Sequence, residues 1–254
     1  QWAPDGSAVI FHQITTTNAA SGAVSASNVV IMSPSGAELG RTDAFNFARY
    51  GFAADWSPDA GQATIGGRRG QCVYGVVILD RQAEPWRRVN PPPTSCDPQY
   101  SPDGQWIAFS SDRFTASEDL YIVRPDDPNS VRLVVQTNDP GQDDKDRADE
   151  IYPSWSPDGW IYYTFAFQDA PADGTEYLYR IRPDGTGRAK VFDDSYERWI
   201  PSFSPDGQCF TFYSKMGGID KEVWKWCAGM SAAVNLTDNP DHVGDEYSAW
   251  SPVP

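Results

Sequence analysis

Histidine, methionine and cysteine are scarce in this 254-residue chain, at two, three and four copies. The two histidines, His12 and His242, stand alone, and neither they nor the cysteines show zinc-finger spacing, so a structural zinc site of that kind is excluded. No Gly-x-Ser-x-Gly segment is present to build a nucleophile elbow, and no Gly-x-x-x-x-Gly-Lys segment to cradle phosphates. Apolar runs stay well short of the ~18 residues that a membrane-spanning helix needs. Basic residues are also in short supply, 20 against 35 acidic ones, for a net charge of −15. That field repels phosphate backbones and anionic lipid, which removes nucleic acid and membrane surfaces from the expected partners. Gln1 runs straight into a repeated motif, and the expectation is a mature or trimmed portion of a longer product.

Aromatics, proline and glycine are plentiful: 10 Trp, 12 Tyr, 12 Phe, 21 Pro and 21 Gly. Flat side chains plus turn formers suit many short strands. Their distribution is periodic. Trp2-Ala3-Pro4-Asp5-Gly6, Trp56-Ser57-Pro58-Asp59, Tyr100-Ser101-Pro102-Asp103-Gly104, Trp155-Ser156-Pro157-Asp158-Gly159 and Phe203-Ser204-Pro205-Asp206-Gly207 are five copies of one motif, and Trp250-Ser251-Pro252 begins a sixth. The aromatic advances by 54, 44, 55, 48 and 47 residues. Such a period marks a solenoid, propeller or array.

Within each repeat, Pro sets φ at the first corner of a turn, Asp accepts from nearby amides and Gly takes the positive φ. The third repeat then predicts strands at Trp106–Ser111, Leu120–Val123 and Val131–Val135, separated by polar loops. The others follow the same order, with third strands at Val29–Met32, Val76–Leu79, Tyr177–Ile181 and Val223–Trp226. Thr15 to Ser27 and the acidic stretch Asp139 to Glu150 lack apolar periodicity and read as loops; the second motif, with Ala60 before Gly61, reads as a turn one residue longer. A four-stranded meander cannot bury both its faces, so neighbouring repeats must cover each other, with the opening aromatic packed between them.

Four cysteines allow three pairings. Cys209 and Cys227 fall on neighbouring strands of one repeat, and Cys72 and Cys96 share another; two such disulfides would imply an oxidising compartment, against the alternative of four buried thiols. Asn235-Leu236-Thr237 is a single glycosylation sequon.

The motif and its order resemble the TolB-like, WD40-like (PD40) propeller repeats, in which aromatic-Ser-Pro-Asp-Gly precedes an Ile-Ala-Phe-Ser strand. Tyr100 to Arg113 is close to that pattern, and Asn235 to Pro240 leading to Ala249-Trp250-Ser251-Pro252 also fits. The resemblance implies an all-β fold: a β-propeller of four-stranded antiparallel blades. Five blades are expected, with six as the alternative. The C-terminal strand would dock on the N-terminal blade to close the ring. One domain over 1–254 is expected, with blades near 1–50, 51–95, 96–149, 150–197 and 198–245 and a closing strand at 246–254. Peptidases that use a propeller as a gate carry a separate hydrolase domain, for which this chain has no room.

In such a fold the opening strands line the central channel, which draws attention to Asp55, Asp97, Asp149, Glu150, Glu197, Arg198, Asp245 and Glu246. They read first as a solvated acidic funnel. Calcium is a second reading, carried by Asp143, Asp144, Asp146, Asp149 and Glu150, because hard cations want several oxygens. A third is a carbohydrate-active enzyme working through axial carboxylates at a defined separation. Trp86, Arg87 and Arg88 form a partner-binding candidate, since Trp and Arg are enriched in binding hot spots. The function expected is therefore a non-enzymatic binding or scaffold propeller. It would lie outside the cytoplasm, whether periplasmic, secreted or at the cell surface, and present loops to a protein or polysaccharide partner.

Overall fold

Each Ser-Pro-Asp turn closes in the same way. The serine hydroxyl donates to the aspartate Oδ1 at 2.6 Å in Ser57–Asp59, Ser101–Asp103, Ser156–Asp158 and Ser204–Asp206. The same hydroxyl accepts the backbone N–H that starts the second strand, as from Gln62 at 2.9 Å and Cys209 at 3.0 Å. Gly104, Gly159 and Gly207 then sit at φ of 69°, 81° and 68° and bond back to the serine carbonyl. The second motif is not longer, as its displaced glycine suggested. Ala60 itself adopts φ 56° and donates to the Ser57 carbonyl, while Gly61 donates to Asp59. A left-handed alanine costs about 1–2 kcal/mol, which the side-chain bonds of the turn offset.

The computed structural model describes the chain except residues 19–22, 46–51, 68–71, 73, 90–93, 113–116, 137–147, 168–175, 217, 219, 238–243, 245–247 and 252–254, and the side chains of 15–18 and 23–26. Among the described residues all regular structure is β. The first blade holds β1 (Val9–Asn18), β2 (Ala23–Met32) and β3 (Glu38–Thr42). The second holds β4 (Phe52–Trp56), β5 (Gln62–Gly67), β6 (Val77–Asp80) and β7 (Trp86–Arg88). The third holds β8 (Ser95–Tyr100), β9 (Ile107–Ser111), β10 (Asp119–Arg124) and β11 (Asp127–Val135). The second and third belong to one sheet, joined by a parallel bridge between Gly67 and Cys96. Two four-stranded sheets follow: β12 (Ala148–Trp155), β13 (Ile161–Phe167), β14 (Glu176–Ile181) and β15 (Ala189–Lys190), then β16 (Trp199–Phe203), β17 (Cys209–Ser214), β18 (Glu222–Cys227) and β19 (Val234–Asn235).

Two loop expectations are corrected. Thr15 to Ser27 is not an extended loop: β1 and β2 continue through it as a long hairpin, in register from Val9↔Met32 to Asn18↔Ala23 with shifts near Thr16. Threonines 15–17 are β-branched and favour the extended chain even without an apolar face. Likewise, Ala148, Asp149 and Glu150 are not loop but the first residues of β12.

The chain divides into two compact units. One comprises Gln1–Arg113, Ile122–Arg132 and Ser251–Pro254, the other Phe114–Tyr121 and Leu133–Trp250. In the first unit, Ile10, Val29, Ile31, Trp56, Ala63, Ile65, Val77 and Leu79 form a buried cluster, each strand contributing alternate residues. In the second, Phe210, Phe212 and Leu178 pack with Tyr162, Phe192, Trp224 and Trp226. Trp56, Tyr100 and Trp155 are buried as the reading of the opening aromatic requires, whereas Trp2 is 38 % exposed.

All four cysteines are paired: Cys72 with Cys96, and Cys209 with Cys227, the latter directly opposite each other on β17 and β18. Two disulfides fit an oxidising compartment.

Candidate functional site

Three opening strands carry a bulge at the same place. Asp97, Tyr152 and Ile200 have φ of 50°, 53° and 46°, and the ladder slips there, between Cys96 and Gln99, Ile151 and Ser154, and Trp199 and Ser202. Each of these residues is followed by proline: Pro98, Pro153 and Pro201. A proline has no N–H for the ladder, and sheets tolerate it at bulges. The second blade has Ala54 instead, and β4 pairs with β5 without a slip. The bulge sits beside the candidate channel residues and is written into the sequence as x-Pro-x-aromatic.

In the first unit, Asp55 lies just before Trp56 and its Oδ2 accepts the Tyr100 N–H at 2.8 Å. The residue keeps some surface, but its carboxyl is enclosed, and that enclosure governs its titration. Burial pushes it up to about 7, against the opposing pull of the Tyr100 and Trp56 amides. Asp97 is buried in β8 beside the Cys72–Cys96 disulfide, with Ser95 donating to Ser111 at 3.4 Å on the neighbouring strand.

In the second unit, Asp149 and Glu150 are buried at 1 % and 0 % exposure. Asp149 Oδ1 accepts the Glu118 N–H at 2.9 Å, and the Glu150 N–H donates to the Glu118 carbonyl at 2.7 Å. The Glu150 carboxylate lies 3.9 Å from Arg188, whose Nε donates to the Tyr163 hydroxyl at 2.8 Å over the rings of Phe165 and Tyr179. Arg188 near Tyr163 opposes burial, yet burial prevails and raises the phenol. Arg198, also buried, makes a two-pronged bond to Asp194 at 2.6 and 2.8 Å and lies 4.0 Å from the Phe192 ring. Its hydrogen bonds hold the Asp194 carboxyl below the usual carboxylate range.

These positions correct the picture of a solvated funnel. Asp97, Asp149, Glu150 and Arg198 point their charge into protein, because a charge at a strand end between packed sheets must find partners there. Of the five calcium candidates, Asp149 and Glu150 are engaged as described, and Asp143, Asp144 and Asp146 lie outside the described residues. So do Asp245 and Glu246. Trp86, Arg87 and Arg88 form β7, and all three are exposed. Trp199 is instead buried, and Trp160 is flanked by Arg180 and Arg182, 4.6 and 3.8 Å from its ring. The sequence reading missed Arg188 and Asp194. No motif marks either; only their place after a third strand and before an opening strand could have pointed to them.

Comparison with known proteins supports the resemblance. No protein-family model matches the chain. An uncharacterised protein of Agrobacterium fabrum is 29 % identical over 140 residues, 55 % of this chain and 41 % of that protein. A TolB homologue of Chlorobium luteolum is 32 % identical over 124 residues, 49 % of this chain and 24 % of the homologue. The chain thus spans less than half the length of the curated relatives it matches. Among solved structures, a candidate TolB from Agrobacterium tumefaciens superposes with a TM-score of 0.62 at 20 % identity, covering 92 % of this chain and 78 % of that one. Enzymes share the architecture too: an oligogalacturonate lyase in complex with manganese reaches 0.54 at 16 % identity, over 97 % of this chain and 69 % of the lyase. The fold is therefore that of a β-propeller. Within that class its repeated motif resembles that of TolB proteins.

Proposed function

We propose that this is a binding or scaffold propeller, without catalysis of its own, that acts outside the cytoplasm and presents its loops to a partner protein. One observation carries the reading. The charged side chains of the opening strands serve the architecture: Asp55 holds the Tyr100 amide, Asp149 the Glu118 amide, and Arg198 the Asp194 carboxylate. Catalytic carboxylates need freedom to exchange protons with a substrate, which such engagement takes away. The two disulfides support a site beyond the reducing cytoplasm.

The proposal extends to a ring of five blades in one domain over 1–254, closed by the C-terminal strand on the first blade. Its support is a recurring contact. Trp56 Nε1 donates to the Gln1 carbonyl at 3.2 Å, and Trp250 Nε1 to the Ser202 carbonyl at 2.8 Å, each opening tryptophan reaching the carbonyl just before the opening aromatic of the preceding repeat.

A carbohydrate-active enzyme is the competing reading, favoured by the lyase among the structural neighbours. A panel of glycans incubated with the protein separates the two. No turnover is expected. Cleavage that Glu150→Gln or Glu246→Gln abolishes would overturn the proposal.

A further inference from the structure

Strand β7 ends its sheet: among the described residues it pairs with β6 alone. Its register, Leu79↔Trp86, Ile78↔Arg87 and Val77↔Arg88, followed by a Val89 N–H bond to the Val76 carbonyl, fixes which amides face inward. Arg87 and Val89 donate into the sheet. By alternation the Trp86 and Arg88 amides face the open edge. An open edge is a template for another strand.

What surrounds that edge is unusual for a chain of net charge −15. Arg87 and Arg88 are exposed, and Arg87 Nη1 donates to the Pro125 carbonyl. Arg124, in the same turn, lies 5.3 Å from the Trp106 ring, and Arg132 lies 4.6 Å from it. Asp126 and Asp127 are the acids of that turn, and Asp127 is engaged by the Asn129 amide at 2.9 Å. Arg87, Arg124 and Arg132 thus gather at a turn that carries two acids. Trp86 lies on the other face of β7 from Arg87, 39 % exposed, its ring edge-on to buried Phe45 at 4.9 Å. A seated tryptophan on one side of the edge and arginines on the other are residue types enriched in binding hot spots.

We propose that the outer edge of β7, flanked by Trp86 and Arg88 on one face and by Arg87, Arg124 and Arg132 on the other, is the docking surface for an acidic, extended segment of a partner protein. This rests on the binder reading above and names its partner's chemistry. Charge complementarity selects acidic residues. The open amides and carbonyls select an extended polypeptide over a polysaccharide, because only a strand matches their spacing. A second copy of this same edge is disfavoured, since it would bring arginines against arginines.

The test uses a synthetic peptide of alternating Glu and Val, with its Lys-Val counterpart and polygalacturonate as controls. Calorimetry should detect the Glu-Val peptide alone, weakening as salt rises from about 50 to about 500 mM. Hydrogen exchange should slow at the Trp86 and Arg88 amides. The double variant Arg87→Glu/Arg88→Glu should lose roughly tenfold or more in affinity, and Trp86→Ala roughly fivefold or more. Unchanged melting curves confirm that the variants fold; Arg87→Ala/Arg88→Ala replaces any that does not. Peptide binding that ignores these substitutions would overturn the surface while leaving the binder reading intact. Polygalacturonate binding that depends on the same arginines, or self-association that they abolish, would overturn the choice of partner. Turnover of a glycan would instead overturn the binder reading.

Discussion

The Asp55 carboxylate accepts the backbone N–H of Tyr100 at 2.8 Å, tying the opening strand of the second blade to that of the third. The acid is enclosed, and burial pushes its pKa up to about 7, above the ordinary aspartate value near 4. A group whose folded pKa exceeds the unfolded one favours the folded state at low pH. That contribution is complete below about pH 4 and is lost as pH rises through about 7. Asp55→Asn keeps an oxygen that accepts from Tyr100 but cannot ionise. Urea unfolding should therefore show the wild type losing on the order of 2–4 kcal/mol relative to Asp55→Asn between about pH 4 and pH 8. Parallel pH profiles for the two proteins would refute the assignment.

The motif turns acquire opposite pH behaviour. The Ser57 hydroxyl and the Gly61 amide hold the Asp59 carboxyl below its ordinary range, and Ser204 with the Gln208 amide does the same for Asp206. Their support is present above the unfolded pKa near 4 and fails as pH falls through the depressed values. Acid unfolding should begin in these turns, seen as faster hydrogen exchange at Gly61 and Gln208 than at mid-strand amides.

The motif glycines should not be equivalent. A Cβ at Gly159 would meet nothing within 4 Å, whereas one at Gly207 would stand 3.1 Å from Pro157 Cγ in the turn of the preceding blade. Both have positive φ. Gly159→Ala should cost about 1–2 kcal/mol, the price of a left-handed alanine. Gly207→Ala should cost measurably more, because the proline must also give way. Chemical denaturation of the two variants side by side decides it.

Much of this architecture could be read from the residues. Aromatic-Ser-Pro-Asp-Gly placed the turns, since Pro, Asp and Gly each answer a separate requirement of backbone geometry, and apolar alternation placed third strands such as Val223–Trp226 inside β18. The bulges were equally legible but went unread: Pro98, Pro153 and Pro201 each precede the aromatic by two places. Side-chain destinations were not legible. Glu150 and Arg198 look like surface charges in a linear string, and only the packing of sheets reveals them as buried. Their partners Arg188 and Asp194 lie 38 residues downstream and four residues upstream, at spacings that no local rule singles out.

The disulfide between Cys209 and Cys227 spans strands already paired, so its contribution lies in the unfolded chain. Closing a loop with a sequence separation of 18 restricts that chain by about 3 kcal/mol in the loop-entropy picture. Cys209→Ala/Cys227→Ala should lower stability by about 2–4 kcal/mol without moving β17 or β18, and adding reductant should then affect the variant less than the wild type. Equal melting temperatures for wild type and variant would show the bond to be idle.

Arg198 and Asp194 should respond unequally to removal. Arg198 is enclosed, while the Asp194 side chain is 40 % exposed. Asp194→Ala strands a buried cation, and removing one partner of a buried pair costs about 3–5 kcal/mol, here reduced because water reaches the acid's side. Arg198→Met leaves only an exposed carboxylate and keeps an apolar stem against Phe192 and Phe212, both of which lie under the guanidinium. The expected order of stability is wild type, then Arg198→Met, then Asp194→Ala, and the double variant should recover much of what Asp194→Ala loses. A double variant no more stable than Asp194→Ala would mean that the guanidinium had not been left uncompensated, and the ion pair would then be a surface contact of little weight.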